Sequence, residues 1–327
     1  MAQYFNLNIK HPHYDALQDD ATQITGAAAH WLGQRGKGVV YFGIDTVESI
    51  REAKKPIEAF NFIRLGDNKE NWDTCFVITI QNGNIWIYKP AGKVEDAEEI
   101  SFKRKNSDAS VTRDILKVMK VEMLTGFPKS VSQVPLILAS MKVNQAFSRN
   151  TFREIDSKKY KGNIAAIQYA TGHWEPGFEV DPLEFLSSIE LETLVAKLFE
   201  AHNCFVPAYK GGFLADVDLF VTPRSRVELA DLILDPSAQA EKKKTWSIQV
   251  KLSEENSELK RWLSKDTARH LLITLNRDEV DGQPRQQFNR EWIRNAVKET
   301  PTVHEWLLES LKWLPKEYQK PPLHTLG

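Results

Sequence analysis

The chain has 327 residues, 42% hydrophobic and 27% charged, a balance that excludes a disordered chain and describes a soluble globular protein with room for two domains. Its 43 basic and 44 acidic residues leave a net charge of −1, which excludes a global basic field, so any grip on nucleic acid must come from local patches. Two cysteines, Cys75 and Cys204, supply neither a zinc spacing nor a disulfide framework, and no run of about 18 apolar residues or signal-peptide order is present. A reducing, cytoplasmic location away from membranes is expected.

In chain order, helices are predicted at 20–33, 46–54 and 134–141, and strands at Gly38 to Ile44, Phe60 to Leu65, Cys75 to Ile80, Ile85 to Tyr88, Leu116 to Leu124 and Ile164 to Tyr169. Asn82-Gly83 lies between two of these strands, and such a pair favours a tight hairpin because its turn needs positive φ. Together these elements predict a small, curved β domain over residues 1–172. Ala170-Thr171-Gly172-His173-Trp174-Glu175-Pro176-Gly177 then interrupts the apolar periodicity, and a linker is placed at 173–182.

The second domain, 183–327, opens with Ser187 or Ser188 as cap of a helix to about His202, with Leu191, Leu194, Val195, Leu198 and Phe199 on one apolar face. Glu192 lies beside that face, where a partly buried carboxylate needs a partner. There follow a strand from Cys204 to Tyr209, a Gly211-Gly212 turn, a strand through Ala215-Asp216-Val217-Asp218-Leu219-Phe220-Val221, and another over Trp246 to Lys251. A helix at Ser257 to Leu263, a strand at His270 to Leu275, and helices at 287–298 and 303–313 complete an αβββαβ order.

Glu192, Asp218, Gln249 and Lys251 are the residues on which chemistry can rest. Two carboxylates, a carboxamide and an ammonium at one sheet edge can hold a divalent cation against a phosphate. Leu191-Glu192-Thr193-Leu194-Val195, Asp216-Val217-Asp218 and Gln249-Val250-Lys251, in that order, resemble the motifs of PD-(D/E)XK restriction-endonuclease-like nucleases, specifically the Mrr-like branch with Gln-x-Lys in place of Glu-x-Lys. The resemblance covers about residues 183 to 275. It implies a metal-dependent endonuclease with Mg²⁺, or Mn²⁺, held by Asp218, by Glu192 and by the backbone carbonyl of Val250. Lys251 would stabilise charge at the scissile phosphate, and Gln249 would ligate weakly or orient a water. Between Asp218 and Gln249 the chain is longer than a hairpin needs, with Pro223-Arg224-Ser225-Arg226 and Glu241-Lys242-Lys243-Lys244. The chemistry therefore requires Asp218 and Lys251 to lie on neighbouring strands.

Other residues carry less. Asp216 shares a strand face with Asp218, whereas Glu190 is expected in solvent. His11 and His13 read as surface residues, and Trp246, Trp262, Trp292, Trp306 and Trp313 as packing residues. Neither a phosphate-binding Gly-x-x-x-x-Gly-Lys-Ser/Thr loop nor a Gly-x-Ser-x-Gly elbow occurs, which excludes the common NTPase and serine-hydrolase designs.

In the first domain, Gly38-Val39-Val40-Tyr41-Phe42-Gly43, Gly83-Asn84-Ile85-Trp86-Ile87-Tyr88 and Phe127-Pro128-Lys129 leading to Gln145-Ala146-Phe147-Ser148-Arg149 resemble PUA-like EVE domains. That resemblance implies an α+β β-barrel holding a flipped, modified base in an aromatic-walled pocket. Trp31, Phe42, Trp72 and Trp86 are its candidate walls, and Lys103, Arg104, Lys105, Arg149 and Arg153 its candidate phosphate contacts. The expected partner is double-stranded DNA, in modification-dependent restriction or antiphage defence. Cutting both strands would call for a homodimer or a larger defence complex. The alternatives are a non-catalytic nucleic-acid binder with a degenerate nuclease core, and an RNA-directed nuclease.

Overall fold

A computed structural model describes residues 2–8, 39–43, 45–81, 83–105, 111–142, 151–157, 159–173, 181–207, 217–224, 245–252, 270–275 and 287–315. The expected helices at 20–33 and 257–263, the Gly211-Gly212 turn, Trp31, Arg149 and Asp216 lie outside the described residues. Contacts divide the chain into two units, Met1–Tyr160 and Lys161–Gly327, each with its own hydrophobic core. Both combine helices with a mixed sheet. Among the described residues no helix is long and apolar enough to cross a membrane.

The first unit is built on β1 (Gln3–Leu7), β2 (Val39–Gly43), β3 (Cys75–Gln81), β4 (Asn84–Lys105), β5 (Val111–Met123), β6 (Lys129–Ser130) and β7 (Phe152–Glu154). They pair in the order β2-β5-β4-β3-β1-β7, with β6 beside β4. The β3–β4 hairpin turns at Gly83, whose φ of 73° is the positive value the sequence demanded. β4 is far longer than the expected Ile85 to Tyr88, and its pairing with β5 shifts register between Pro90 and Val94 and between Ala97 and Ser101. Such irregularities let a long strand bend. Where a barrel was expected, β2 and β7 are the ends of an open path, and no pairing among the described residues closes it.

α1 (Val47–Ala53) begins at Thr46, whose hydroxyl accepts from the Ser49 N–H. α2 (Ile57–Asp67) occupies the stretch where a strand was expected at Phe60 to Leu65. Its aromatic and β-branched residues suggest a strand locally, yet Ala59, Phe62, Ile63 and Gly66 bury a helical stripe in the core. The helix approaches β4 closely at Gly66, where a Cβ would stand 2.9 Å from Val94 Cγ2. α3 (Leu136–Ala139) is shorter than expected and is flanked by 3₁₀ turns.

The second unit starts earlier than the sequence suggested. α4 (Lys161–Thr171) replaces the expected strand at Ile164 to Tyr169. It is buried on most sides, through Ile164, Ala165, Ala166, Ile167 and Gln168, so its composition shows no amphipathic period. Ala165 belongs to the second core, and the Tyr169 ring packs on Trp313 at 5.3 Å. The unit therefore begins at Lys161 rather than after a linker at 173–182.

α5 (Ser188–Ala201) packs on a five-stranded sheet of β8 (Cys204–Phe205), β9 (Leu219–Pro223), β10 (Trp246–Lys251), β11 (His270–Thr274) and β12 (Gln287–Phe288), paired in the order β12-β11-β10-β9-β8. β9 is antiparallel to β10, and β11 and β12 continue in parallel. α6 (Arg290–Glu299) and α7 (Pro301–Ser310) close the core with Ile293, Val297, Val303 and Leu307.

Placement of α4 in the second core predicts that fragment 161–327 is more stable than fragment 173–327. Urea unfolding of the two should give a lower midpoint for the shorter one, because its loss of α4 uncovers apolar surface. Equal midpoints would return the boundary to residue 172.

Candidate functional site

The long segment between Asp218 and Gln249 does not separate their strands. Trp246, Ser247 and Ile248 pair with Val221, Phe220 and Leu219, and the Asp218 N–H donates to the Ile248 carbonyl at 2.8 Å. The ladder ends at Leu219, so Asp218 stands just beyond it, tied to β10 by that bond. Alternation along β10 sends Ile248 and Val250 into the core and leaves Gln249 and Lys251 on the other face.

The Asp218 carboxylate is held from two directions. Its Oδ2 accepts from Gln249 Nε2 at 2.7 Å and from the Val250 N–H at 2.7 Å. Both donors fall on one oxygen, so Oδ1 remains for another partner. Gln249 is only 1% exposed, and its Oε1 has no hydrogen-bond partner among the described residues. A buried carbonyl left in that state costs on the order of 1–3 kcal/mol. The Val250 carbonyl shares the strand edge of its N–H, since both groups of an extended residue point the same way. It thus faces the side on which Asp218 lies.

Glu192 reaches this cluster from α5. Ser187 starts the helix: its hydroxyl accepts from the Glu190 N–H at 3.1 Å, and Glu190 returns by accepting from the Ser187 N–H at 2.8 Å. Glu190 is consequently buried in a capping box, not solvated as the sequence suggested. Leu191, Leu194, Val195, Leu198 and Phe199 anchor the helix in the core, which fixes Glu192 at the margin. Burial and the nearby Asp218 charge push the Glu192 carboxyl up to about 7, against a pull down from Lys251. Burial also raises Asp218, opposed by the Val250 N–H and by Lys251. Glu192, Asp218 and Lys251 therefore act on one another, and the two carboxylates repel.

This donor set suits a hard divalent cation. Glu192, Asp218 Oδ1, Gln249 Oε1 and the Val250 carbonyl are all oxygen groups, the type that Mg²⁺ and Mn²⁺ take. The partnerless Gln249 oxygen and the raised carboxylates are what such an ion would relieve. Among the described residues no group of three or more His, Cys, Asp or Glu gathers, so an ion here would retain several waters.

Of the candidate aromatic walls of the first unit, Trp72 and Trp86 are the two with described side chains. Trp86 is 5% exposed, lies in the first core and stacks on Tyr88 at 6.3 Å, so it could not receive a base without opening that core. The Trp72 indole donates to the Leu65 carbonyl at 3.2 Å. Phe42, Lys103, Arg104 and Lys105 are located by backbone alone, in β2 and β4, and Arg153 lies in β7 opposite Asn6. The first unit has instead a cavity of about 320 Å³ lined by apolar Phe5, Leu65 and Cys75 and polar Asn61, Arg64 and Asn68. Asn61 and Arg64 stand about one turn apart on α2, and Asn68 is its C-cap. Reading that stretch as a strand hid the signal.

The raised Glu192 pKa sets a direction for stability. The folded state holds the Glu192 proton up to about pH 7, whereas the ordinary value is 4.5, so the metal-free protein should lose stability as pH rises through that window. Glu192→Gln should be the more stable form at pH 8, with the difference vanishing below about pH 4.5. Thermal unfolding in chelator across this range checks it; a difference that does not vary with pH would contradict the burial of Glu192. No family model, curated protein or solved structure matches the chain.

Proposed function

We propose that the second unit hydrolyses phosphodiester bonds in nucleic acid with the aid of a divalent metal, and that the first unit contributes recognition. The observation that carries this is the Asp218 carboxylate, fixed by Gln249 and Val250 beside Glu192 and Lys251. Hydrolysis of a phosphodiester needs charge neutralised on the phosphate, an activated water and a stabilised leaving oxygen. Bound Mg²⁺ or Mn²⁺ would contribute the Lewis acidity for these tasks. Asp218 and Glu192 would hold the ion, aided by the Val250 carbonyl.

The protein's own groups supply the remainder. Gln249 and the Val250 N–H hold Asp218 by Oδ2, which would leave Oδ1 to hold the ion. Lys251 brings a fixed positive charge to the phosphate, where it offsets charge that grows in the transition state. Its charge already acts on both carboxylates. The resemblance to Mrr-like nucleases and EVE domains directs the proposal to double-stranded DNA, in modification-dependent restriction or antiphage defence.

A second reading draws on Gln249. Its amide has no formal charge and is already bonded to Asp218, an arrangement that also suits a non-catalytic nucleic-acid binder. Purified protein incubated with duplex DNA, single-stranded DNA and RNA, with and without Mg²⁺ or Mn²⁺, separates the two. Metal-dependent cleavage is expected, duplex DNA being cut best. Binding without cleavage of any of the three would favour the binder.

Two substitutions assign the roles. Asp218→Asn, which removes the charge but keeps an oxygen for the Gln249 and Val250 donors, should abolish cleavage with little change in melting temperature; undiminished cleavage would remove Asp218 from the site. Lys251→Ala should slow cleavage about 10²-fold, the scale for one preorganised electrostatic group, while DNA affinity falls much less. Equal losses of rate and affinity would make the lysine a simple phosphate anchor.

A further inference from the structure

Lys251 lies at the end of β10, and its carbonyl accepts from the Leu275 N–H at 3.1 Å just beyond β11. The Leu275 carbonyl in turn accepts from Arg290 Nε at 2.7 Å. Arg290, 9% exposed at the start of α6, extends Nη1 to Glu184 Oε1 at 2.8 Å and to Asp181 Oδ2 at 3.4 Å. Asp181 also pairs with Arg294, and its Oδ1 accepts from the Leu183 N–H at 2.9 Å. That bond opens the 3₁₀ turn Pro182–Phe185, which runs directly into Ser187 and the capping box of α5. One guanidinium thus joins the strand end that carries Lys251 to the turn that precedes the Glu192 helix.

A buried ion cluster contributes little net stability compared with apolar packing of the same volume. What a guanidinium adds is a rigid planar fork, able to set several acceptors at fixed angles at once. Here those acceptors belong to the two segments that must keep Lys251 and Glu192 at a set separation. We propose that Arg290 is a positioning residue, which acts through the Leu275 peptide to hold Lys251 in register with Glu192. The inference rests on the phosphodiesterase reading, because it assigns Arg290 no role except through Lys251.

The test is a double-mutant cycle on the full-length protein, with bis(p-nitrophenyl) phosphate and Mn²⁺ as the assay. Arg290→Lys keeps a cation beside Asp181 and Glu184 but loses the fork. Alone it should lower kcat about 10-fold or more, the scale for small misplacement of a reacting group, with KM nearly unchanged. In the Lys251→Ala background it should cause no further loss, since the group it positions is gone. Independent, multiplicative losses would overturn the inference, as would a change confined to KM. Should Arg290→Lys fail to fold, Glu184→Gln removes the anchoring charge at constant size and goes through the same cycle. Equal rates for wild type and Lys251→Ala would defeat the phosphodiesterase reading and the inference with it; a slow Lys251→Ala in an additive cycle would defeat the inference alone.

Discussion

The second unit depends on the way β10 captures Asp218. Asp218 stands just before β9, where the strand pairing runs out, and a carboxylate at such a place would ordinarily turn to water. Gln249 Nε2 and the Val250 N–H draw one of its oxygens inward at 2.7 Å each. The energetic consequence spreads outward from that pair of bonds. Val250 must keep its register for its N–H to meet the carboxylate, so the packing of Ile248 and Val250 in the core and the orientation of Asp218 are one constraint. This register does not depend on the length of chain that joins the two strands.

Captured in this way, Asp218 becomes a source of strain for its neighbour. Glu192 is set at the margin of α5 by an apolar face that cannot rotate without uncovering Leu191 and Val195. Burial first, and the Asp218 charge after it, make its carboxyl hold its proton up to about pH 7. A site that serves only stability would place a second cation or a full set of hydrogen bonds there. Among the described residues this one has two repelling carboxylates, one lysine and a carboxamide oxygen without a hydrogen-bond partner. Unspent electrostatic energy of that kind marks places where ligands bind.

Much of this was legible in the sequence, for physical reasons that differ by element. Ser187 or Ser188 ahead of an apolar stripe announces a capped helix, and α5 begins there with Ser187 as its cap. Alternation in Leu219 to Val221 and Trp246 to Lys251 announces half-buried strands, and β9 and β10 lie on them. The same rules failed where burial erases the pattern. α4 is covered on most sides and shows no polar face, and α2 is rich in Phe and Ile because it underlies a sheet. α4 could not be told from a strand by periodicity, whereas α2 carries the helical stripe of Ala59, Phe62, Ile63 and Gly66 beneath a strand-like composition. Glu190 was misplaced in solvent because a capping carboxylate and a solvated one look alike until the helix start is fixed.

What local sequence could not supply at all was the convergence of distant segments. Arg290 lies 109 residues from Asp181 along the chain, and nothing in its own neighbourhood, Asn289 to Trp292, marks it as more than a helix-start residue. Its importance arises only when β11 is laid parallel to β10, which brings Leu275 to the Lys251 carbonyl. Parallel pairing requires a crossover, and a crossover separates in sequence the strands that it joins in space. The lysine and aspartate motifs are compact because each occupies a strand end, whereas the scaffold that holds them apart is dispersed. A short motif is therefore enough to suggest what chemistry a chain attempts, while the precision of that chemistry rests on residues that no motif contains.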